Sequence, residues 1–100
     1  MYETEGTIES IGDTETFGDG HKKRKCILKL GVDTKGRENL VEFEAMFEAT
    51  ESLETYAAGE TVIVTWELSG NRGTTRNGDV RVFNNLTLKE IRAVNDERAF

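Results

Sequence analysis

The chain has 100 residues, 36% of them hydrophobic and 32% charged, with a formal net charge of −6. That length holds one domain with a modest core, and the acidity, taken alone, argues against a general polyanion binder. One histidine (His21), one cysteine (Cys26) and no apolar run near the ~20 residues of a membrane span exclude a histidine- or cysteine-cluster metal site, an intrachain disulfide and a membrane helix. The opening Met1–Glu5 is polar and acidic, so no secretory leader is expected, and a reducing cytoplasm is the simplest compartment.

The first predicted strand runs from Tyr2 to Ile11, with Gly6 marking a bend or bulge. A loop, Gly12 to Gly20, carries Phe17 among glycines and acids. His21-Lys22-Lys23-Arg24-Lys25 then leads into the second strand. With Cys26, Leu28 and Leu30 facing the core, Lys23, Lys25, Ile27 and Lys29 face out, because strand side chains alternate. Gly31 to Asn39 turns the chain into a third strand, where Val41, Phe43, Ala45 and Phe47 alternate with glutamates. The lysines are expected across from Glu42, Glu44 and Glu48.

Thr50 can cap a short helix, with Glu51 and Glu54 in its first turn, and Leu53, Tyr56 and Ala57 share one face. Gly59 is expected to stop it. Tyr56 is expected to pack the helix onto a barrel mouth. Val62, Val64, Trp66 and Leu68 form the core side of a fourth strand. Ser69 to Asp79 is polar and basic, and Asn77-Gly78 is its hairpin signal. A fifth strand runs from Val80 to Ile91. Five strands with one short helix between the third and fourth predict an all-β, five-stranded Greek-key barrel, the OB-fold. It is expected over residues 1–94 as a single domain, with residues 95–100 a short polar tail.

Tyr56-Ala57-Ala58-Gly59-Glu60 followed by alternating valines to Trp66 resembles a passage of bacterial single-stranded-DNA-binding proteins. Arg76-Asn77-Gly78-Asp79-Val80-Arg81-Val82-Phe83 is similar to their next hairpin. Lys22-Lys23-Arg24-Lys25 before Cys26-Ile27-Leu28 is similar to the second strand of small bacterial and phage OB-fold proteins, with His21 where an aromatic usually stands. The resemblance implies binding of single-stranded DNA with little base specificity, in replication, recombination or repair, in a bacterial or phage setting. Such proteins often end in an acidic peptide with a terminal Phe that docks partner enzymes. This chain ends in Asp96-Glu97-Arg98-Ala99-Phe100 without the usual linker, so Phe100 is a docking candidate toward replication or recombination proteins.

An OB-fold that binds nucleic acid needs cations that track phosphates and flat rings on which bases stack. The cations are Lys22, Lys23, Lys25, Lys29, Arg72, Arg76 and Arg81, seven of the thirteen basic residues. The fold is expected to gather them on its usual binding groove. The stacking candidates are Phe17 and Phe83, and His21 is read as a phosphate or base contact or as simply solvated. The competing reading makes the lysines a solvated face balanced by glutamates, and packs Phe83 with Ile91 into a dimer interface. That second class is a protein-interaction module or oligomeric subunit without nucleic-acid binding. RNA stays open as a partner, since nothing in the sequence reports a 2′-hydroxyl contact. No GxxxxGK(S/T) loop, HExxH or nucleophile elbow is present, so neither an enzyme nor a cofactor is expected.

Overall fold

The computed structural model describes residues 1–94. The elements are β1 (Tyr2–Ile11), β2 (Glu15–Thr16), β3 (Lys22–Val32), β4 (Glu38–Met46), α1 (Glu48–Ser52) with a 3-10 turn (Leu53–Thr55), β5 (Thr61–Thr74) and β6 (Val80–Ala93). Strand order is β1-β5-β6-β4-β3-β2, and β1 also pairs with β3, which closes the barrel. β4 and β6 run parallel through Glu44↔Thr87 and Ala45↔Leu88, while the other pairings described are antiparallel. This is the predicted five-stranded barrel with a helix between its third and fourth long strands. The two-residue β2 is an addition beside β3.

The core is what strand alternation predicts, with one face of each strand turned inward. Ile8, Cys26, Leu28, Phe43, Ala45, Val62, Val64 and Leu88 are buried, and Leu53 of the helical segment plugs the barrel. Trp66 is half-buried at the edge of this core. Its indole N–H donates to Thr4 Oγ1 at 2.9 Å, and its ring stacks on Tyr2 at 4.8 Å and meets Phe43 edge-on at 5.5 Å. Gly6 is no bulge: a Cβ there would lie 2.8 Å from Leu30 Cδ2, so the glycine permits β1 to cross β3 closely. The β1 bulge falls between Ile8 and Ser10.

The helix starts three residues earlier than its sequence suggests. Phe47 stands at the N-cap position, Glu48 and Glu51 fill the first turn, and Thr50 lies inside. Thr50 is buried, and its hydroxyl donates back to Phe47 O at 2.6 Å. Helical structure ends at Thr55, so Tyr56 is extended and its hydroxyl donates to Ile91 O at 3.4 Å. Gly59 does take a positive φ of 96°, in a separate turn closed by Glu60 N–H to Ala57 O. Arg24 ties the mouth together, with Nε donating to Gly12 O at 2.6 Å and Nη1 to Glu54 Oε1 at 2.6 Å. That contact removes Arg24 from the basic run as a free cation.

β5 and β6 outrun the barrel. The fourth strand continues through Ser69–Thr74, which the sequence assigns to a loop, and pairs with β6 as far as Thr74↔Val80. The result is a projecting two-stranded arm. The radius of gyration of 15.4 Å exceeds the ~13 Å typical of 100 compact residues. Its tip is a loop of three residues, Arg76-Asn77-Gly78, with Gly78 N–H donating to Thr75 O and only Gly78 at positive φ.

Burial in this apolar core pushes the Cys26 thiol up to about 11, against the opposing pull of Arg24. The folded chain therefore holds the proton more tightly than the unfolded one. This contribution to stability is intact below the ordinary thiol value of 9.0 and is lost as pH rises toward 11. The native protein is expected to leave a disulfide-exchange reagent unconsumed at pH 8 and to consume one equivalent after denaturation, as read by thiolate absorbance.

Candidate nucleic-acid interface

β3 and β4 set the first part of the site. Their register places Lys25 opposite Glu44, Ile27 opposite Glu42 and Lys23 opposite Met46 on the outer face, while Cys26↔Phe43 faces inward. Lys23, Lys25 and Lys29 thus share the outer face as expected. Each reaches a carboxylate on the neighbouring strand: Lys23 to Glu44 at 4.0 Å, Lys25 to Glu42 at 3.9 Å and Lys29 to Glu38 at 3.3 Å. Glu38 takes the place predicted for Glu48, which opens the helix instead. The face is a ladder of alternating sign rather than a basic patch. These exposed pairs hold the lysines loosely, since surface ion pairs contribute ~0–1 kcal/mol each.

The second part lies at the loop before β3. Phe17 is exposed, and Lys23 Nζ sits 5.7 Å from its ring centroid. Phe17 N–H donates to His21 O, and Gly20 at φ 86° closes the loop. His21 is half-buried, with its ring 4.4 Å from that of Phe47. Lys22 shares a cleft of about 250 Å³ with Gly20, Phe47, Glu48 and Glu51. Phe47 and Glu48 also line a second cleft, of about 510 Å³, between the helix and β6 along Ala49, Leu88 and Lys89.

Phe47 is the residue that sequence periodicity misplaces. It is 53% exposed rather than buried, and it alone among non-glycine residues described has a positive φ, 52° with ψ −123°. That combination suits glycine at the first corner of a tight turn and costs a bulky side chain ~1–3 kcal/mol. The phenyl ring is held at such a cost half exposed, lining both clefts and against a histidine.

The third part is the arm, and it divides the predicted hairpin residues. Asn71↔Phe83 and Gly73↔Arg81 lie on one face, in phase with Thr87 and hence with Glu44 of β4. Phe83 and Arg81 therefore extend the lysine face. A Cβ on Gly73 would meet Phe83 Cε2 at 2.6 Å, so the Phe83 ring lies against that glycine, and it stays about half exposed. Arg72 pairs with Val82 on the opposite face, and Arg76 sits in the tip loop. The expected convergence of all seven cations is thus corrected: Arg72 points away from the others because its strand position has the other parity. Phe100 lies outside the described residues.

The family model described as "Domain of unknown function (DUF3127)" matches residues 3–92. The chain belongs to the DUF3127 family. No curated protein matches the sequence. Among solved structures, the mitochondrial single-stranded DNA-binding protein Rim1 of S. cerevisiae is similar at TM-score 0.67 and 17% identity, over 93% of this chain and 92% of that one. The Plasmodium falciparum SSB, solved with ssDNA, is similar at TM-score 0.63 and 13% identity, over 93% and 92%. At these identities the likeness establishes the OB-fold. Within that fold, the DUF3127 chain presents Phe17, His21, Phe47 and Phe83 as accessible rings, and Lys22, Lys23, Lys25, Lys29 and Arg81 as the cations nearest them in sequence register or contact. Phe47 had one signal in the sequence: it is the last apolar residue of its alternation, next to a run of helix formers.

Proposed function

We propose that this DUF3127 protein binds single-stranded DNA with little sequence preference and serves replication, recombination or repair inside the cell. The observation that carries the reading is Phe47, an exposed ring kept in a backbone conformation that favours glycine, flanked by clefts and by His21. Stacking explains why such a ring is tolerated, since a base on an aromatic face gains ~1–3 kcal/mol. Phe17 and Phe83 extend the platform. Lysines drawn from their glutamates, with Arg81, hold the phosphates. No step of bond making is involved, and neither metal nor cofactor enters.

One observation favours a second reading. The lysine–glutamate ladder is neutral overall and suits a protein-interaction module, where alternating charge sets pairing specificity. Fluorescence anisotropy with a labelled poly-thymidine strand, an equal duplex and an equal RNA strand, at two salt concentrations, separates these. Salt-sensitive binding to the DNA strand over the duplex is expected. No binding to either single strand at low salt would overturn the proposal in favour of the interaction module, and preference for RNA would change the substrate.

A further inference from the structure

The arm carries a second surface that the DNA reading does not use. Its other face is made by Leu68, Gly70 and Arg72 on β5, paired with Leu86, Asn84 and Val82 on β6. Leu68 is 47% exposed and Val82 70% exposed, and beyond them Val80 is 63% exposed. The face carries no carboxylate. It is the outward continuation of the barrel's inner face, since Trp66↔Leu88 of the core precedes Leu68↔Leu86 in the same register. A two-stranded ribbon alone is marginally stable in water, and on this one the described residues leave Leu68, Val80 and Val82 exposed, while Leu86 packs half-buried against the edge of the core.

The pattern on that side is self-complementary. Counted from Asn84, Val82 and Leu86 stand two residues to either side. Counted from its register partner Gly70, Arg72 and Leu68 do the same. We propose that this face is a two-fold interface with a second copy of the chain, with the axis passing through Gly70 and Asn84. The axis sets Val82 on the partner's Leu86 and lays the aliphatic stem of Arg72 over the partner's Leu68. Gly70 has no side chain, and Asn84 Oδ1 lies 3.1 Å from where its Cβ would be, so the centre is low and flat. Two Asn84 amides meet there as mutual donor and acceptor.

Other occupants fit less well. Branched aliphatic side chains offer a base no ring to stack on, and Arg72 is the one cation among these residues. Residues 95–100 follow Val94, whose N–H donates to Thr61 O at the far end of β6. Val82 lies about 40 Å along the strand from there, against a reach of ~21 Å for six residues. The area is small. The six facing residues at the ~35 Å² each of an ordinary interface give ~210 Å² per chain, below the ~800 Å² of a stable complex. The dimer is therefore weak and concentration-dependent.

The proposal does not depend on DNA binding, and its test omits DNA. Sedimentation velocity from about 1 µM to about 500 µM spans the range a weak contact requires. The mass is expected to rise from one chain toward two, and Val82→Lys is expected to stay at one. Val82 is exposed, so this variant keeps the barrel, as circular dichroism verifies. A short bismaleimide should link Asn84→Cys chains to themselves, and should link Val82→Cys to Leu86→Cys in a mixture far better than either alone. A single-chain mass at the highest concentration, a Val82→Lys variant that still dimerises, or equal linking of Val82→Cys with itself would each overturn the two-fold arm interface. A single-chain mass together with loss of strand affinity in Val82→Lys would overturn it too, and reassign the face to DNA.

Discussion

Replacing Glu38, Glu42 and Glu44 with glutamine is expected to raise affinity for single-stranded DNA by roughly ten-fold at low salt, the direction opposite to an ordinary surface change. The three carboxylates occupy the ammonium groups of Lys29, Lys25 and Lys23. A phosphate entering the face must displace them, and each carboxylate left about 7 Å away repels it by roughly 0.6 kcal/mol in water. Substituting Lys23, Lys25, Lys29 and Arg81 with alanine has the reverse effect. At roughly 0.7 kcal/mol per cation the loss is about a hundred-fold, and the salt slope flattens by about 3. Anisotropy titrations across a salt series check both variants. Were the glutamine variant to bind no better than the parent while the alanine variant kept its affinity, the ladder would be a solvated face and no part of the interface.

Phe47→Gly is expected to stabilise the fold by about 1 kcal/mol while weakening strand binding by roughly 5- to 150-fold. Relief of the positive φ contributes ~1–3 kcal/mol, and the greater freedom of glycine in the unfolded chain takes back ~0.5–1 kcal/mol. The affinity loss corresponds to one stacked base. Phe47→Ala keeps the strained backbone and loses the ring, so it should weaken binding without the gain in stability. Urea denaturation and anisotropy measure the two quantities independently. If Phe47→Gly lowers stability, the His21–Phe47 contact at 4.4 Å is a structural anchor and the ring is not a platform for bases.

The contrast between Phe43 and Phe47 shows what was legible in the sequence. Both stand in one alternating run, and alternation assigns both to the core. Phe43 is buried as assigned, but the strand ends at Met46 and the backbone reverses at Phe47, so the period stops applying one residue before the pattern does. Leu68 fails for a related reason. It does lie on the face of Val62 and Val64, yet β5 has left the barrel by then and the described residues leave it exposed. Periodicity reports which side of a strand a residue takes, not whether another layer covers that side. The strands of the barrel and the core at Cys26, Leu28, Val62 and Val64 needed only the first kind of information. The site needed the second: the division of Arg72 from Arg81 followed from extending β5 through a segment rich in Gly, Asn and Thr, which reads as loop.

The barrel is closed on one side by two paired residues of β4 and β6, whereas β5 and β6 pair along thirteen positions. The β5–β6 and β3–β4 hairpins join neighbours in sequence and close short loops, but the β4–β6 contact spans the helical segment, all of β5 and the arm tip. Chain-entropy cost places that contact late in folding. It is also where native breathing begins, so amide exchange at Ala45 and Leu88 should be faster than at Cys26 or Val64 despite equal burial. The cleft beside Phe47 lies along this join, through Met46, Thr87 and Leu88. A strand lodged there would act as a clasp across the weakest closure of the barrel, and its hold would register as slowed exchange at residues it never touches.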